Sequence, residues 1–317
     1  MSDNEGSQRL LTLGEIALAK SIFGNSIVYP RVWIHHASYF PFKLQGRNTA
    51  MSPNGELYFR DWYCENFSIQ SFQFQHLFIH EMSHVWQYQR GIWVRMRGLV
   101  SGFVSYEYSF EENKKLFDYR LEQQAQIIAD YFLLSKFGLN MWLARRGKDG
   151  EVSYVGSVDN QIHSKYQKVL KGVPVLMNIL TKTLTLVVFL LSGCTLGENL
   201  DNRYTKETPV PAHVRNSDVC VSIPIQSDEK VVSALTYNMK TPSEQVIFPA
   251  DKQPKAGLFC IQPEEIRFKN GQTYLIYIEV NKKAGGENEK ATRKAYVSTF
   301  QAVLQGNNLT ITLAMKQ

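Results

Sequence analysis

FQFQHLFIHEMSHVWQYQRG, residues 72–91, is the stretch whose reading decides the fold of the first half of this chain. Apolar residues at 74, 77, 78, 82, 85 and 86 follow the spacing of one helical face, and Gly91 closes the run. Inside it stands His80-Glu81-Met82-Ser83-His84. Residues four apart on a helix lie on one face about one turn apart, so two imidazoles at those positions can share one ion. Such a pair suits Zn2+, which lowers the pKa of water it coordinates to about 7. Glu81, lying between the histidines, is then placed to take that water's proton as general base.

A catalytic zinc needs a third protein ligand and one open position. The best candidate is Glu122, 38 residues after His84 on the next strong helical pattern, residues 117–137 (FDYRLEQQAQIIADYFLLSKF), which Gly138 closes. Ala125 and Ala129 share its face and would let two helices approach closely. Asp118 and Glu111 are rivals, but they fall at or before the helix start, where carboxylates usually serve as caps. Asp130 is placed to orient a ligand histidine from behind the metal. His76, one turn before His80, reads as pocket lining or surface. His35 and His36 read as partly exposed strand histidines, Trp33, Trp62, Trp86 and Trp93 as core, and Cys64 as a buried thiol.

Outward from this centre, residues 9–24 predict a helix with Thr12 as cap, Glu15 completing a capping box and Gly24 as stop. VWIHHASYF and ELYFRDWY read as strands around the turn Ser52-Pro53-Asn54-Gly55, a hairpin signal. Residues 141–172 are a more polar tail. With 317 residues and 44% hydrophobic composition, the chain can bury two cores. The net charge is +6, about +3 in residues 1–176 and +2 in residues 195–317. Neither part holds a dense Lys/Arg block, which argues against nucleic acid as a partner. The opening MSDNEGSQRLLTLGE is polar and acidic and does not read as a secretory signal.

The stretches LTLGEIALAKSIFGNSIVYPRVWIHHASYFPF, AMSPNGELYF, HLFIHEMSHVWQYQRG and YRLEQQAQIIADYF, in this order, resemble a family of bacterial metallopeptidase effector domains. These occur as stand-alone toxins and as C-terminal extensions of type VI secretion spike proteins. The resemblance covers about residues 9–138. It implies an α+β, zincin-like domain with a gluzincin-type site: His80, His84 and Glu122 as zinc ligands and Glu81 as base. It also implies hydrolysis of a peptide or protein, delivery by a spike or carrier protein, and toxicity in the target cell's periplasm.

The texture then changes. MNILTKTLTLVVFLLSGC, residues 177–194, has Lys182, an apolar stretch and small residues, the three parts of an export signal. Leu191-Ser192-Gly193-Cys194 resembles a bacterial lipobox, which implies cleavage before Cys194, lipid on its sulfur and anchoring to a membrane. The apolar run is shorter than the roughly 20 residues that span a bilayer. A signal-anchor is the alternative, with Lys165, Lys168 and Lys171 ahead of it. After Cys194 comes a polar, proline-bearing stretch like a tether. Seven short β-rich runs follow, VCVSIPI to LTITLAM, as in an antiparallel sandwich. Cys220 and Cys260 can pair, closing a loop worth on the order of 3–4 kcal/mol. No catalytic constellation is seen in this part. It resembles the small periplasmic lipoproteins described as type VI immunity proteins, which implies that the two halves are partners, toxin and inhibitor.

The expected organisation is therefore an α+β zincin-like metallopeptidase domain at 1–172, a lipoprotein-signal segment at 173–194, a polar tether at 195–216 and an all-β sandwich-like domain at 217–317. Two other readings stay open. One is a membrane-tethered envelope binding or assembly protein with a structural zinc. The other is a housekeeping zinc protease whose β domain is an exosite.

Overall fold

The computed structural model describes residues 5–92, 105–147, 150–171, 199–282, 292–306 and 308–313. The chain divides into two compact units: Met1–Ser135 with Trp142–Tyr204, and Lys136–Met141 with Thr205–Gln317.

The first unit opens with strand β1 (Ser7–Leu10) and helix α1 (Leu13–Phe23). The capping box forms: Glu15 N donates to Thr12 Oγ1 at 3.1 Å, and Thr12 N donates to the Glu15 carboxylate at 2.8 Å. Glu15 does more than cap. It is buried and held by both Nη atoms of Arg9 at 2.8 Å, and it accepts from Phe67 N at 2.9 Å. A bidentate guanidinium and a backbone donor are what a buried carboxylate needs to be tolerated. One local capping residue thus pins β1 and α1 to the loop that leads into the histidine helix.

Strands β2 (Trp33–His36), β3 (Ala50–Met51) and β4 (Leu57–Phe59) join β1 in a four-stranded sheet ordered β1-β2-β4-β3. The hairpin differs from expectation. The Ser52–Gly55 turn joins β3 to β4, which pair antiparallel, whereas β2 lies parallel to β4. Residues 37–49 carry the chain back across the sheet first, so the nearest extended run was not the turn's partner. Helix α2 (Phe72–Gln89) follows, with 15 of its 18 residues buried. Helix α3 (Leu121–Ala144), whose residues Lys136–Met141 belong to the second unit, is interrupted at Gly138, whose φ of 84° suits a residue without Cβ, and then resumes beyond the expected stop. The polar tail holds a further helix, α4 (Ile162–Val169). Cys64 is half-buried rather than buried.

The second unit is built of two sheets. Strands β6 (Ala212–Arg215), β7 (Asp218–Ser222) and β10 (Leu258–Ile261) form one, ordered β10-β7-β6. The other runs β13-β12-β11-β8-β9, with β8 Glu229–Asn238, β9 Val246–Ile247, β11 Thr273–Lys282, β12 Thr292–Gln305 and β13 Asn308–Leu313. Strand β5 (Glu207–Pro209) lies parallel to β12. Val219, Val221, Phe259 and Ile261 from the small sheet share one core with Ile276, Ile278, Tyr296 and Phe300 from the large one. Cys220 and Cys260 stand opposite in the β7–β10 register and are joined by a disulfide.

The expected tether is corrected. Its residues 207–209 and 212–215 are strands, because backbone partners on β12 and β7 outweigh a polar composition. Residues 199–204 belong to the first unit. The apolar segment 173–194 with Cys194, and Trp93, lie outside the described residues. Among the described residues, no helix is long and apolar enough to cross a membrane.

Candidate metal centre

Three side chains from two helices converge. His80 Nε2 lies 3.3 Å and His84 Nε2 3.1 Å from Glu122 Oε2. The two rings are successive turns of α2, edge to face with centroids 5.1 Å apart, as the four-residue spacing requires. Glu122 stands in the first turn of α3. One donor atom from each residue falls within 4.8 Å of the others, a spread that one ion can bridge. Both histidines are buried, while the Glu122 side chain keeps 22% exposure, so the triangle is reachable from solvent on its carboxylate side. Of the rival carboxylates, Asp118 accepts from Lys115 N at 2.8 Å and Glu111 pairs with Lys114 at 2.9 Å. Both serve local turns.

The surrounding hydrogen bonds fit these donors to a metal. His84 Nδ1 lies 2.8 Å from Gln87 Oε1. The Gln87 amide nitrogen donates to Leu121 O at 3.2 Å and Gln124 Oε1 at 3.1 Å, which fixes the amide oxygen toward the ring. An acceptor there holds the Nδ1 proton, so that loss of the Nε2 proton to an incoming metal leaves Nε2 as the donor atom, the tautomer a metal ligand requires. Among the described residues, His80 Nδ1 has no hydrogen-bond partner. Two imidazole nitrogens and one carboxylate are the three-ligand set of a catalytic zinc site.

Charge is tightly coupled here. Burial, reinforced by the charge on His84, lowers His80 to about 3 against the pull of Glu122. Burial also opposes charge on His84, yet the Glu122 and Glu81 carboxylates outweigh it and raise His84 to about 9. Glu122 lies well below the usual carboxylate range despite its desolvation, because both histidines face it. Glu81 is raised by burial. It is also held: Ser52 Oγ donates to Glu81 Oε2 at 2.7 Å.

Two expected positions come out differently. Asp130 does not reach a ligand histidine. Its carboxylate takes His76 Nε2 at 2.8 Å, Gln126 Nε2 and Tyr108 Oη at 2.7 Å, and Ser153 N at 3.0 Å. Eight residues separate it from Glu122, two turns and about 80° further round the helix, so it meets α2 one turn before the motif. His76 is accordingly neither surface nor pocket lining but fully buried. The residue that orients His84 is Gln87, and the one that orients Glu81 is Ser52. Gln87 could have been found from its three-residue spacing to His84. Ser52 could not, since only the sheet brings its turn to α2. His35 keeps its plain strand reading, stacked on Tyr58 and 2.8 Å from Glu56.

A cleft of about 700 Å3 is lined among others by Tyr106, Glu107, Arg146, Tyr154 and Arg203, and by none of His80, Glu81, His84 and Glu122. The Tyr106 ring lies 5.9 Å from that of His80.

Comparison with known proteins bears on both halves. Residues 207–305 match the family described as Domain of unknown function (DUF7480). The chain is 44% identical over 138 residues to the Type VI secretion system spike protein VgrG2b of Pseudomonas aeruginosa, a match covering 39% of this chain and 13% of that protein. The chain thus spans about one eighth of that spike protein's length. Among solved structures, the effector domain of Pseudomonas aeruginosa VgrG2b is 39% identical, covering 45% of this chain and 83% of that one, with a TM-score of 0.39. Over less than half of its length, then, the chain is homologous to part of a type VI secretion spike protein.

Proposed function

We propose that the effector-related unit is a zinc-dependent hydrolase of the peptidase class, with a zincin-like fold of the gluzincin type, and that the β-rich unit is the immunity partner that binds and inhibits it. The observation that carries the first part is the convergence of two Nε2 atoms and one carboxylate, from residues 42 and 38 apart in sequence, beside a buried glutamate. Supporting the setting is the homology to a type VI secretion spike protein. In this reading a spike or carrier protein delivers the toxin to the target periplasm. The second half, lipidated at Cys194, guards the producer's own periplasm from the membrane.

His80, His84 and Glu122 would hold the ion, with Gln87 fixing one ring. Bound zinc supplies Lewis acidity at the scissile carbonyl and acidifies water. Glu81 takes the proton of the attacking water and passes it to the leaving amine. Burial raises its proton affinity, which matches that task, and Ser52 fixes one carboxylate oxygen so that the other faces the reaction.

Residues 1–172 exported to a bacterial periplasm should be toxic, and the purified protein should contain one zinc. Glu81→Gln should cut killing and the hydrolysis of labelled casein by roughly 100- to 10,000-fold with the melting temperature held. Undiminished killing by this variant sinks the enzymatic reading. Four protein ligands on the zinc would favour a structural site.

A further inference from the structure

Asn199–Tyr204 lead straight into strand β5 of the second unit, yet they pack with the first. Asn199 caps a single 3-10 turn, its Oδ1 accepting from Asp201 N at 3.0 Å. Leu200 N donates to Asn48 O at 2.7 Å, and Asn48 Nδ2 donates back to Asp201 Oδ2 at 2.5 Å. Leu200, Arg203 and Tyr204 are 5%, 6% and 1% exposed. So much burial is unusual for a polar connector, and an Arg-Tyr pair is the residue type that anchors interfaces.

The two anchors meet the two helices that carry the metal ligands. Tyr204 Oη lies 2.8 Å from His76 Nδ1, one turn before His80, and its ring is 5.9 Å from that of Trp62. Because His76 Nε2 faces the Asp130 carboxylate and donates there, Nδ1 is the acceptor and Tyr204 the donor. Arg203 donates to Gln126 Oε1, one turn after Glu122, and its guanidinium lies 4.0 Å over the ring of Tyr106. That places Arg203 in the wall of the cleft beside His80.

We propose that Asn199–Tyr204 is the recognition element by which the second half holds the effector unit: a short linear segment, read by a groove between α2 and α3, that docks Arg203 and Tyr204 beside the metal centre. This deepens, and in its inhibitory sense rests on, the reading of the two halves as toxin and inhibitor. In a processed lipoprotein these residues would begin five positions after Cys194, so a guard anchored at the membrane would present them at the end of a short leash.

The test uses the full chain with a site-specific protease sequence inserted after Gly172. After cleavage in metal-free buffer, the dissociation constant of the two fragments is measured by sedimentation. The unsubstituted fragments should stay together at micromolar concentration. Arg203→Ser with Tyr204→Ser should weaken them at least about 30-fold, as loss of two central anchors does. Both substitutions fall in the connector, so neither removes a core residue of the β unit. Asn48→Ala, on the effector side, should weaken them severalfold, and Tyr204→Phe, which removes the bond to His76 and keeps the ring, should do the same. Wild-type fragments that separate at micromolar concentration, or a double variant that binds as tightly as wild type, overturn the proposal. A second arm reads hydrolysis of labelled casein by the zinc-loaded fragments, expected to rise at least tenfold in the double variant. Absence of hydrolysis from every sample overturns the hydrolase reading, while the metal-free binding result decides the docking separately.

Discussion

Helix α2 and strand β11 are the most deeply buried elements of their units, and they are built on opposite principles. Strand β11 buries seven consecutive residues, Tyr274 to Val280, of which Glu279 alone carries charge. Helix α2 buries fifteen, and eight of them are polar: Gln73, Gln75, His76, His80, Glu81, Ser83, His84 and Gln87. A buried polar group costs free energy unless it is hydrogen-bonded, so α2 commits its neighbours to satisfying it. Gln124, Asp130, Ser52 and Tyr204 all answer to α2 side chains. The β unit meets less of this demand: Glu229 and Glu279 are buried beside Lys294 and Arg293, and the shared core of its two sheets is apolar, with one disulfide. The difference marks the core that is harder to build as the one that holds titratable groups in fixed positions.

The contrast can be broken most severely at Asp130. Asp130→Ala strands His76, Tyr108 and the Ser153 N–H in the interior and should cost about 3–5 kcal/mol. All five tryptophans lie at or before residue 142, so urea denaturation followed by tryptophan fluorescence reads the first unit. An unchanged midpoint would show that the network is not the support described. On the other side, replacing both Cys220 and Cys260 with serine should cost the β unit on the order of 3–4 kcal/mol. Hydrogen exchange in β7 and β10 should accelerate while the tryptophan transition stays put. A shift of that transition would mean that the two cores do not stand apart energetically.

Smaller effects sharpen the comparison within α2. Gln87→Ala leaves His84 Nδ1 without its partner and should weaken zinc binding roughly 10- to 100-fold, measured against a competing chelator. Equal affinity would remove Gln87 from the orienting role. Last comes pH. His84, raised to about 9, is protonated at neutral pH before metal binds, whereas His80, lowered to about 3, is not. Zinc must displace the His84 proton, so affinity should rise about tenfold per pH unit up to about 9, with one proton released per zinc near pH 7. Calorimetry in buffers of different ionisation enthalpy checks the count, and zero protons released would contradict the charge assignment.

Much of this was legible along the chain because it rests on local spacing. The His80–His84 pair, the Thr12–Glu15 capping box, the seven β-rich runs and the cysteines that became partners all follow from periods of two or 3.6, or from turn chemistry. Glu122 was legible as a candidate, since it opens the next helix with small residues on its face. Asp130 was misassigned because its angular offset from Glu122 sends it to a different turn of α2, a matter of how the helices cross rather than of either helix alone.

The sequence by itself singled out the candidate residues His80, Glu81, His84 and Glu122 and most of the helical and strand segments, because hydrogen bonds within a turn and the alternation of side chains across a strand are local properties. Only the tertiary structure decided that β2 runs parallel to β4, that Ser52 reaches Glu81, that His76 is buried against Asp130, and that Asn199–Tyr204 seat on the helices of the metal centre. Those are contacts between residues 23 to 128 positions apart. Their formation depends on loop closure and on the packing of whole elements, which no local pattern encodes.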